Sequence, residues 1–316
     1  MDVVISYTTY CFGHDEVDYA TQIFRKWQYA RNPNLRWRGP LGFGPAPSPR
    51  QDALGRSRRH LQEQSCTTAT VKFKTSRTFL QNLFPTSSFA FKTPGTVVLA
   101  SFSATAFNNI AWLGGGGYSQ FGLHLHGVEY RKEDGSSIAG TYIPVIFEDL
   151  ADTIIAGRDD TGLPKVYCAI DIHSRQKSYR MQASWRGAKF LDFELEGLAA
   201  VENPTTRDVA TTELDQGDLV HRYVPTVGKD TNGKTACEHS VLIPRLEDWN
   251  PTLSKATRVA TAKRARVVFD KLDVDALPTL HHIVDVLADL PIYEVVGAKV
   301  VRGTGVADMS TAHRIE

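Results

Sequence analysis

The sequence predicts an α+β protein in which β-structure dominates and most strands pair antiparallel. Short apolar or alternating segments recur from residue 67 onward, and turn-forming residues separate them. Short strands joined by tight turns are typical of antiparallel sheets and barrels. The few segments with helical spacing lie between groups of strands.

Five strand segments are predicted in chain order. In the first, Ala69, Val71 and Phe73 alternate with polar residues, as expected for a strand with one buried face. The later segments are apolar runs at residues 96–107, 118–130, 141–147 and 166–172. Turns are predicted at Pro94-Gly95, Gly114–Gly117 and residues 133–136.

Two helices are predicted in this strand-rich region. The first, Glu148–Gly157, begins with acidic residues and ends at a glycine. The second, Ala276–Leu290, places its large apolar residues on one face and is stopped by Pro291. A further short amphipathic helix is predicted at Val17–Tyr29.

Residues 1–65 differ from the rest, and we predict that they form an extension to a main domain at 66–316. Between Arg25 and Gln64 there are nine Lys/Arg against two acidic residues, with prolines interspersed. Such proline density disfavours a long helix or a central strand, so an extended arm is expected. An anionic partner is one hypothesis for the arm. We favour a solvated extension, or one packed on a neighbouring subunit, because its arginines form no compact run.

Composition excludes several classes of protein. With 42% hydrophobic and 22% charged residues and a net charge of +1, the chain is neither disordered nor a protein whose whole surface binds nucleic acid. Its four cysteines lack paired spacing, which argues against a disulfide scaffold or structural zinc and indicates a reducing compartment. We see no secretory signal and no apolar run long enough to span a membrane, so a cytoplasmic protein is expected.

Glycines and histidines offer weaker signals. Gly114–Gly117 lack a following Lys-Ser/Thr, so a flexible turn or close backbone approach to a ligand is favoured over phosphate binding. The period of a strand places Gln120, His124 and His126 on one face. The two histidines would bind a metal only with a third ligand from elsewhere, so we favour a polar cavity wall.

The most informative segment is residues 156–172, which continues from the predicted helix into an apolar strand. Lys165 enters this strand between Pro164 and Val166. Taken alone, a lysine at the start of a strand is expected to be exposed to solvent.

At this point the sequence resembles the acetoacetate decarboxylase family. The resemblance rests on five short motifs in matching order, and it runs from about residue 66 to the end. These motifs are Gly117-Tyr118-Ser119-Gln120, Ile143-Pro144-Val145, Gly157-Arg158-Asp159, Leu163-Pro164-Lys165-Val166 and Asp289-Leu290-Pro291-Ile292.

The resemblance implies a closed or cone-like antiparallel β-barrel or sheet, with the substrate pocket inside and helices packed outside. It implies that Lys165 forms a Schiff base with a ketone. Acetoacetate decarboxylase is itself the standard example of a lysine made nucleophilic by an apolar pocket or a neighbouring cation. The iminium is an electron sink, so no cofactor and no metal are expected.

Three departures from the family pattern suggest a different substrate. Val166 replaces the second family lysine, Gln120 replaces a glutamate, and Cys66 lies near the position of a family arginine. Arg58 or Arg59 is a candidate to replace that arginine. Histidine titrates near neutral pH and is therefore a candidate for the missing proton transfer. We accordingly expect catalytic roles for Lys165, Gln120 and His124, and substrate-binding roles for Tyr118, His126, Arg158 and Leu163.

The resulting hypothesis is a lyase that acts on a keto acid or polyketone larger than acetoacetate, in specialised metabolism. Decarboxylation, aldol addition with dehydration, and cyclisation share the same intermediates, so these alternatives stay open. A second hypothesis is a non-catalytic ligand pocket in which Lys165 pairs with an acid such as Asp160. A homo-oligomer is expected, with a small-molecule substrate and no nucleic-acid or membrane partner.

Overall fold

The structure of the chain is a computed structural model that describes residues 34–41, 44–52, 55–56, 64–205, 217–228, 234–244, 255–304 and 311–315. The chain divides into two compact units, Met1–Arg59 and His60–Glu316. The predicted helix Val17–Tyr29 and the two candidate arginines, Arg58 and Arg59, lie outside the described residues.

The described part of the first unit is organised around Gln51. Its side-chain amide donates hydrogen bonds to the carbonyls of Arg36 at 2.7 Å and Ala46 at 2.9 Å. Its carbonyl oxygen accepts a hydrogen bond from the Arg36 backbone amide at 2.9 Å. Gln51 is 3% exposed, so this proline-rich segment has local tertiary contacts of its own. The predicted boundary at residue 65 stays a prediction.

The second unit is built mainly of strands. The described strands are β1 Ser65–Ser76, β2 Phe89–Phe91, β3 Val97–Ile110, β4 Gly116–Arg131, β5 Ser137–Glu148, β6 Lys165–Tyr167, β7 Ala169–Ser174, β8 Ser178–Trp185, β9 Ala188–Glu196, β10 Ala199–Ala200, β11 Gly217–Pro225, β12 Thr235–Pro244, β13 Lys255–Thr261, β14 Arg264–Phe269, β15 Glu294–Thr304 and β16 His313–Ile315. The helices are α1 Arg77–Gln81, α2 Ala151–Thr161 and α3 His281–Ala288, with a 3₁₀ turn at Ala111–Leu113.

Two sheets organise this unit. The larger runs in the order β10-β13-β15-β1-β3-β4-β5-β11-β12-β16, with β2 paired to β4 and β6 paired to β5. The smaller is β14-β9-β8-β7. Pairing is antiparallel except where β5 meets β6 and β11. The predicted α+β class with mostly antiparallel strands is confirmed, and in the described residues the main sheet is an open path.

One face of the main sheet carries the principal core. Phe102, Phe121, Leu123 and Phe147 are buried there, against the small sheet and the apolar face of α3. The rings of Phe102 and Phe121 stack with centroids 5.4 Å apart. The opposite face of β3 and β4 is polar, because strand side chains alternate between the two faces. The sequence pattern predicted this division for β4.

The turn between β3 and β4 contains Gly114 and Gly115, with φ values of 66° and 86°. Residues with a side chain rarely adopt this conformation, so the predicted glycine turn has a clear structural reason.

Two predicted helices have different limits in the structure. The first begins at Ala151 rather than Glu148 and continues to Thr161, so Gly157 lies inside it. Glu148 instead ends β5, because its backbone pairs with both β4 and β6. The second predicted helix corresponds to α3, which is shorter than predicted and spans His281–Ala288.

Candidate active site

The β5–α2–β6 segment forms the centre of the candidate site. The chain leaves β5 at Glu148, passes through α2 and returns as β6, parallel to β5. In this register Lys165 lies beside Ile146, and Tyr167 lies beside Glu148. The connection therefore brings two charged side chains, 17 positions apart in sequence, onto the same part of the sheet.

Gly162 makes the sharp exit from α2. It adopts a left-handed conformation with φ 75°, and its amide donates to the carbonyl of Arg158 at 3.2 Å. The Leu163 amide donates to the carbonyl of Gly157 at 3.1 Å. This is the usual glycine-dependent end of a helix. A side chain at Gly162 would also collide with Arg222, whose Cβ lies 2.6 Å from the added atom.

Gly157 makes room for the Lys165 side chain against α2. A Cβ at Gly157 would lie 2.5 Å from Cε and 2.8 Å from Nζ of Lys165. Carbon and nitrogen atoms that are not bonded do not approach this closely, so the Lys165 side chain occupies the space that a side chain at Gly157 would fill. Gly157 thus determines where the amine is placed.

The Lys165 amine is buried and paired. Its Nζ lies 2.7 Å from Oε1 of Glu148, and the two side chains are 7% and 0% exposed. It also donates to the backbone carbonyl of Thr153 at 3.1 Å. The Thr153 hydroxyl donates to Oε2 of Glu148 at 2.7 Å, so each carboxylate oxygen has a neighbour. The general expectation that a lysine at the start of a strand is exposed does not hold for Lys165, which is buried, as the family resemblance implied.

Burial shifts both members of this pair toward their neutral forms. Burial lowers the pKa of Lys165, and the nearby Glu148 carboxylate opposes that shift. Burial likewise raises the pKa of Glu148, and Lys165 opposes it. Removing charge from water is costly, so a proton shared between these groups is favoured over two isolated charges.

Gln120 and Tyr118 extend the site across β4. Gln120 lies directly opposite Glu148, and both side chains are on the polar face. Tyr118 follows on the same face and stacks on Phe107 with ring centroids 4.7 Å apart. Burial raises the pKa of Tyr118, and the Glu148 carboxylate adds to this, so the phenol keeps its proton.

The two predicted histidines lie further along β4. Nε2 of His124 comes within 3.4 Å of the point where a side chain at Gly122 would begin, and Ile146 approaches that point equally closely. Since Ile146 is the register neighbour of Lys165, His124 lies on the Lys165 side of the sheet. His126 is 4% exposed, with Nε2 2.9 Å from the Ser101 hydroxyl and Nδ1 3.4 Å from that of Thr141.

Arg158 and Leu163 support the loop that leads to Lys165. Arg158 is exposed, and its Nη1 donates to the carbonyl of Lys165 at 3.0 Å. Leu163 is buried in a small apolar cluster with Ile146 and Val220. The structure therefore brings Lys165, Gln120 and Tyr118 together around Glu148, while Arg158 contacts the Lys165 backbone rather than its amine.

Glu148 is the residue that sequence analysis missed. Its acidic neighbours and the following apolar pattern were interpreted as a helix start, which placed it outside the strand. Alternation along β5 is interrupted by irregular register with β4, so the pattern alone did not show which face Glu148 occupies. The sequence does contain one signal for it, because Glu148 directly follows the apolar run at residues 141–147. A charged residue at the end of an apolar strand is a candidate for a buried functional group.

Three further features concern metal ligands, cysteines and membrane-spanning helices. Within the described ranges, no group of three or more His, Cys, Asp or Glu side chains is arranged to hold a metal ion. Cys66, Cys168 and Cys237 are free thiols. No helix in the described part of the chain is long and apolar enough to cross a membrane.

Comparison with known proteins identifies the relatives of this chain. The family model for acetoacetate decarboxylase matches residues 44–314. No curated protein matches the sequence. A structure described as acetoacetate decarboxylase superimposes with a TM-score of 0.56 at 12% identity, covering 84% of this chain and 94% of its own.

Two further structures share the fold. Acetoacetate decarboxylase from Legionella pneumophila has a TM-score of 0.56 at 11% identity, with coverage of 83% of this chain and 91% of its own. The enduracididine biosynthesis enzyme MppR, complexed with pyruvate, has a TM-score of 0.53 at 13% identity, with coverage of 84% and 95%. Such low identities establish the fold alone. The family model spans most of the sequence, and the chain belongs to the acetoacetate decarboxylase family.

Proposed function

We propose that this protein is a Schiff-base-forming carbon–carbon lyase that acts on a keto acid or polyketone through Lys165. The observation that supports this most directly is the buried amine of Lys165, whose pKa is lowered by its removal from water. A neutral amine is required to attack a ketone, and burial supplies it. Loss of water then gives an iminium, which withdraws electrons from an adjacent bond.

The proposed substrate is larger than acetoacetate, and we place the reaction in specialised metabolism. This rests on the replacements at Val166 and Gln120, which remove a cation and an acid from the family pattern. The pyruvate complex of MppR supports a keto acid as ligand of this fold. The proposed substrate-binding residues are Tyr118, His126, Arg158 and Leu163, and His124 and Gln120 are the proposed polar catalytic groups.

Borohydride trapping tests this proposal. The full-length protein is incubated with acetoacetate, pyruvate and longer 3-oxo acids, reduced, and analysed by intact mass and peptide mapping. We expect a substrate-sized adduct on Lys165 that disappears in Lys165→Ala. The matched control is Lys177→Ala, which removes an exposed lysine between β7 and β8. Labelling spread over exposed lysines, or equal labelling of Lys165→Ala, would reject amine catalysis at this site.

A non-covalent pocket is the second hypothesis, and the ion pair favours it. The acid next to Lys165 is Glu148 rather than the expected Asp160, and such a partner helps to keep an ammonium charged. In that case a keto acid would bind without forming an imine that borohydride can reduce, and the Lys165→Arg variant would still bind it. Calorimetric titration of both proteins, beside the trapping experiment, separates the two hypotheses.

A further inference from the structure

We infer that Arg222 on β11 binds a carboxylate at the end of the substrate remote from the carbonyl that reacts with Lys165. This inference rests on the proposed function, because it concerns the substrate held on that lysine. It narrows the substrate class to oxo acids in which several carbon atoms separate a carboxylate from the reacting ketone.

Arg222 lies next to the turn that leads to Lys165. Gly162 ends α2 three residues before that lysine, and a Cβ added there would lie 2.6 Å from Cβ and 3.1 Å from Cγ of Arg222. The aliphatic part of Arg222 therefore packs on the backbone of this turn, in space that a side chain at Gly162 would fill. This contact fixes the first part of the arginine side chain beside the start of β6.

Arg222 also lies on the same side of the sheet as Lys165. Val220, two residues earlier on β11, packs with Ile146 in one buried apolar cluster. Ile146 is the register neighbour of Lys165. The pairing of β11 with β12 is unbroken from Gly217 to Val224, so side chains two positions apart share a face. Arg222 therefore continues the row that Val220 begins.

The guanidinium of Arg222 is partly buried and lacks a protein counter-charge. Its Nε is shielded from water without a hydrogen-bond partner, and no acid of the described residues forms an ion pair with it. By contrast, Lys165 is paired with Glu148, and Arg180 is paired with Asp192. Buried donors without an acceptor are uncommon in proteins, so this one calls for a specific explanation.

The chemistry of arginine indicates the kind of group that Arg222 would bind. A guanidinium stays charged at any physiological pH and presents its N–H groups in a planar fork. Two parallel N–H groups of that fork match the two oxygens of a carboxylate, which makes such pairs strong and geometrically specific. A carboxylate on the substrate would supply the acceptor that the described residues do not.

The surroundings of the amine place this carboxylate away from the reacting ketone. The Lys165 amine contacts the Glu148 carboxylate and the Thr153 carbonyl. Burial and Glu148 shift the pKa of Lys165, and the Arg222 guanidinium does not contribute to that shift. In pyruvate and acetoacetate the carboxylate carbon is within three bonds of the imine nitrogen, so it would lie beside the amine. A carboxylate that reaches Arg222 therefore belongs to a longer chain.

Borohydride trapping with matched acids and esters tests this inference. The full-length protein is incubated with 4-oxopentanoate, 5-oxohexanoate and 6-oxoheptanoate, and in parallel with the methyl ester of each, over a range of concentrations. Each pair presents the same ketone with and without the negative charge. We expect at least one acid to reach half-maximal adduct formation on Lys165 at a concentration about 10-fold to 100-fold below that of its ester, the usual effect of hydrogen bonds to a charged group.

Arg222→Met removes the charge and keeps an unbranched apolar side chain. We expect the half-saturating concentration of the acid to rise about 10-fold to 100-fold, to that of the ester. The ester and the maximal trapping rate should be unaffected, whereas a merely structural role would impair acid and ester alike. Arg264→Gln is the matched control, because it removes an exposed arginine that pairs with Glu196 on the small sheet. It should keep the full preference for the acid.

Arg222→Lys provides a second variant if Arg222→Met fails to fold, which circular dichroism will show. Lysine keeps the positive charge but lacks the planar fork. We therefore expect this variant to keep only part of the preference for the acid over its ester. An unchanged preference would mean that Arg222 does not bind the carboxylate through its guanidinium.

The outcomes distinguish the inference from the proposed function. If no ketone is trapped on Lys165, the proposed function fails, and the inference fails with it. If ketones are trapped but every acid and its ester saturate at equal concentrations, only the inference is overturned. The same holds if Arg222→Met folds and retains the preference of the unaltered protein for the acid.

Discussion

Gln120 on β4 lies directly opposite Glu148 on β5, so an amide faces a carboxylate across two paired strands beside Lys165. By resemblance to the family, a glutamate was expected at the position of Gln120. Directly opposed side chains on one sheet face have Cβ atoms about 4.5–5.5 Å apart, so an acid on either strand reaches the same volume. The acid beside Lys165 thus lies on the adjacent strand.

The pH dependence of trapping is the first prediction. Burial lowers the pKa of Lys165 and Glu148 opposes this, so imine formation should reach half its maximum below the ordinary lysine value of about 10.4. Removing the carboxylate in Glu148→Gln removes the opposing effect, so the half-maximum should move to still lower pH. The measurement is the initial rate of borohydride trapping from pH 5 to pH 11. A half-maximum near 10.4 in both proteins would mean that the amine is not buried in solution.

Gly157→Ala should displace the reactive amine without unfolding the protein. The added methyl would lie 2.5 Å from Cε of Lys165, and the end of a flexible side chain moves more readily than the helix does. A displacement of about 1 Å can cost roughly 100-fold in rate, so trapping should slow to that extent. Circular dichroism should remain unchanged.

Gly297→Ala is the control for that experiment. It adds the same methyl to β15, where no atom of the described residues other than the adjacent chain lies within 4 Å. It should therefore keep the original trapping rate. Equal rates in Gly157→Ala and the unaltered protein would contradict the close packing of Lys165 on α2.

Phe121→Ala should destabilise the second unit strongly. Phe121 is fully buried and packs on Phe102, with ring centroids 5.4 Å apart, and on Phe193 at 6.0 Å. Truncation of such a side chain costs about 3–5 kcal/mol in the free energy of unfolding. Urea denaturation measures this loss. Tyr223→Ala, at a 52% exposed site, should change the free energy of unfolding by less than about 0.5 kcal/mol.

Asp192 on the small sheet should contribute to acid stability. Burial alone would raise its pKa, but hydrogen bonds from Lys189, Gln182 and Arg180 together hold it at about 2. Because the folded-state pKa is below the unfolded value of about 3.9, the contribution is present above pH 4 and is lost as the pH falls toward 2.

Thermal unfolding between pH 6 and pH 2 tests this expectation. The unaltered protein should lose stability across the lower part of that range, and Asp192→Asn should show a smaller change because it has no carboxylate to protonate. A steep loss of equal size in both proteins would assign the acid sensitivity to other groups.

Much of the fold was predictable because strand alternation is a local property. The polar positions of β4 and the apolar positions between them follow directly from the period of an extended chain. The turn at Gly114 was predictable for a similar reason, since consecutive glycines suit conformations that other residues avoid. The limits of α2 could not be predicted in this way, because acidic residues are compatible with both the start of a helix and the end of a paired strand.

The sequence by itself determined the strand-rich class, the polar face of β4 and, through short motifs, the choice of Lys165. Only the tertiary structure decided which segments bury this lysine and that Glu148 is its partner. Local pattern describes one strand at a time, whereas burial depends on which distant segments cover a side chain. Here α2 covers the amine through the space left at Gly157, and parallel pairing of β6 with β5 places the carboxylate 2.7 Å away.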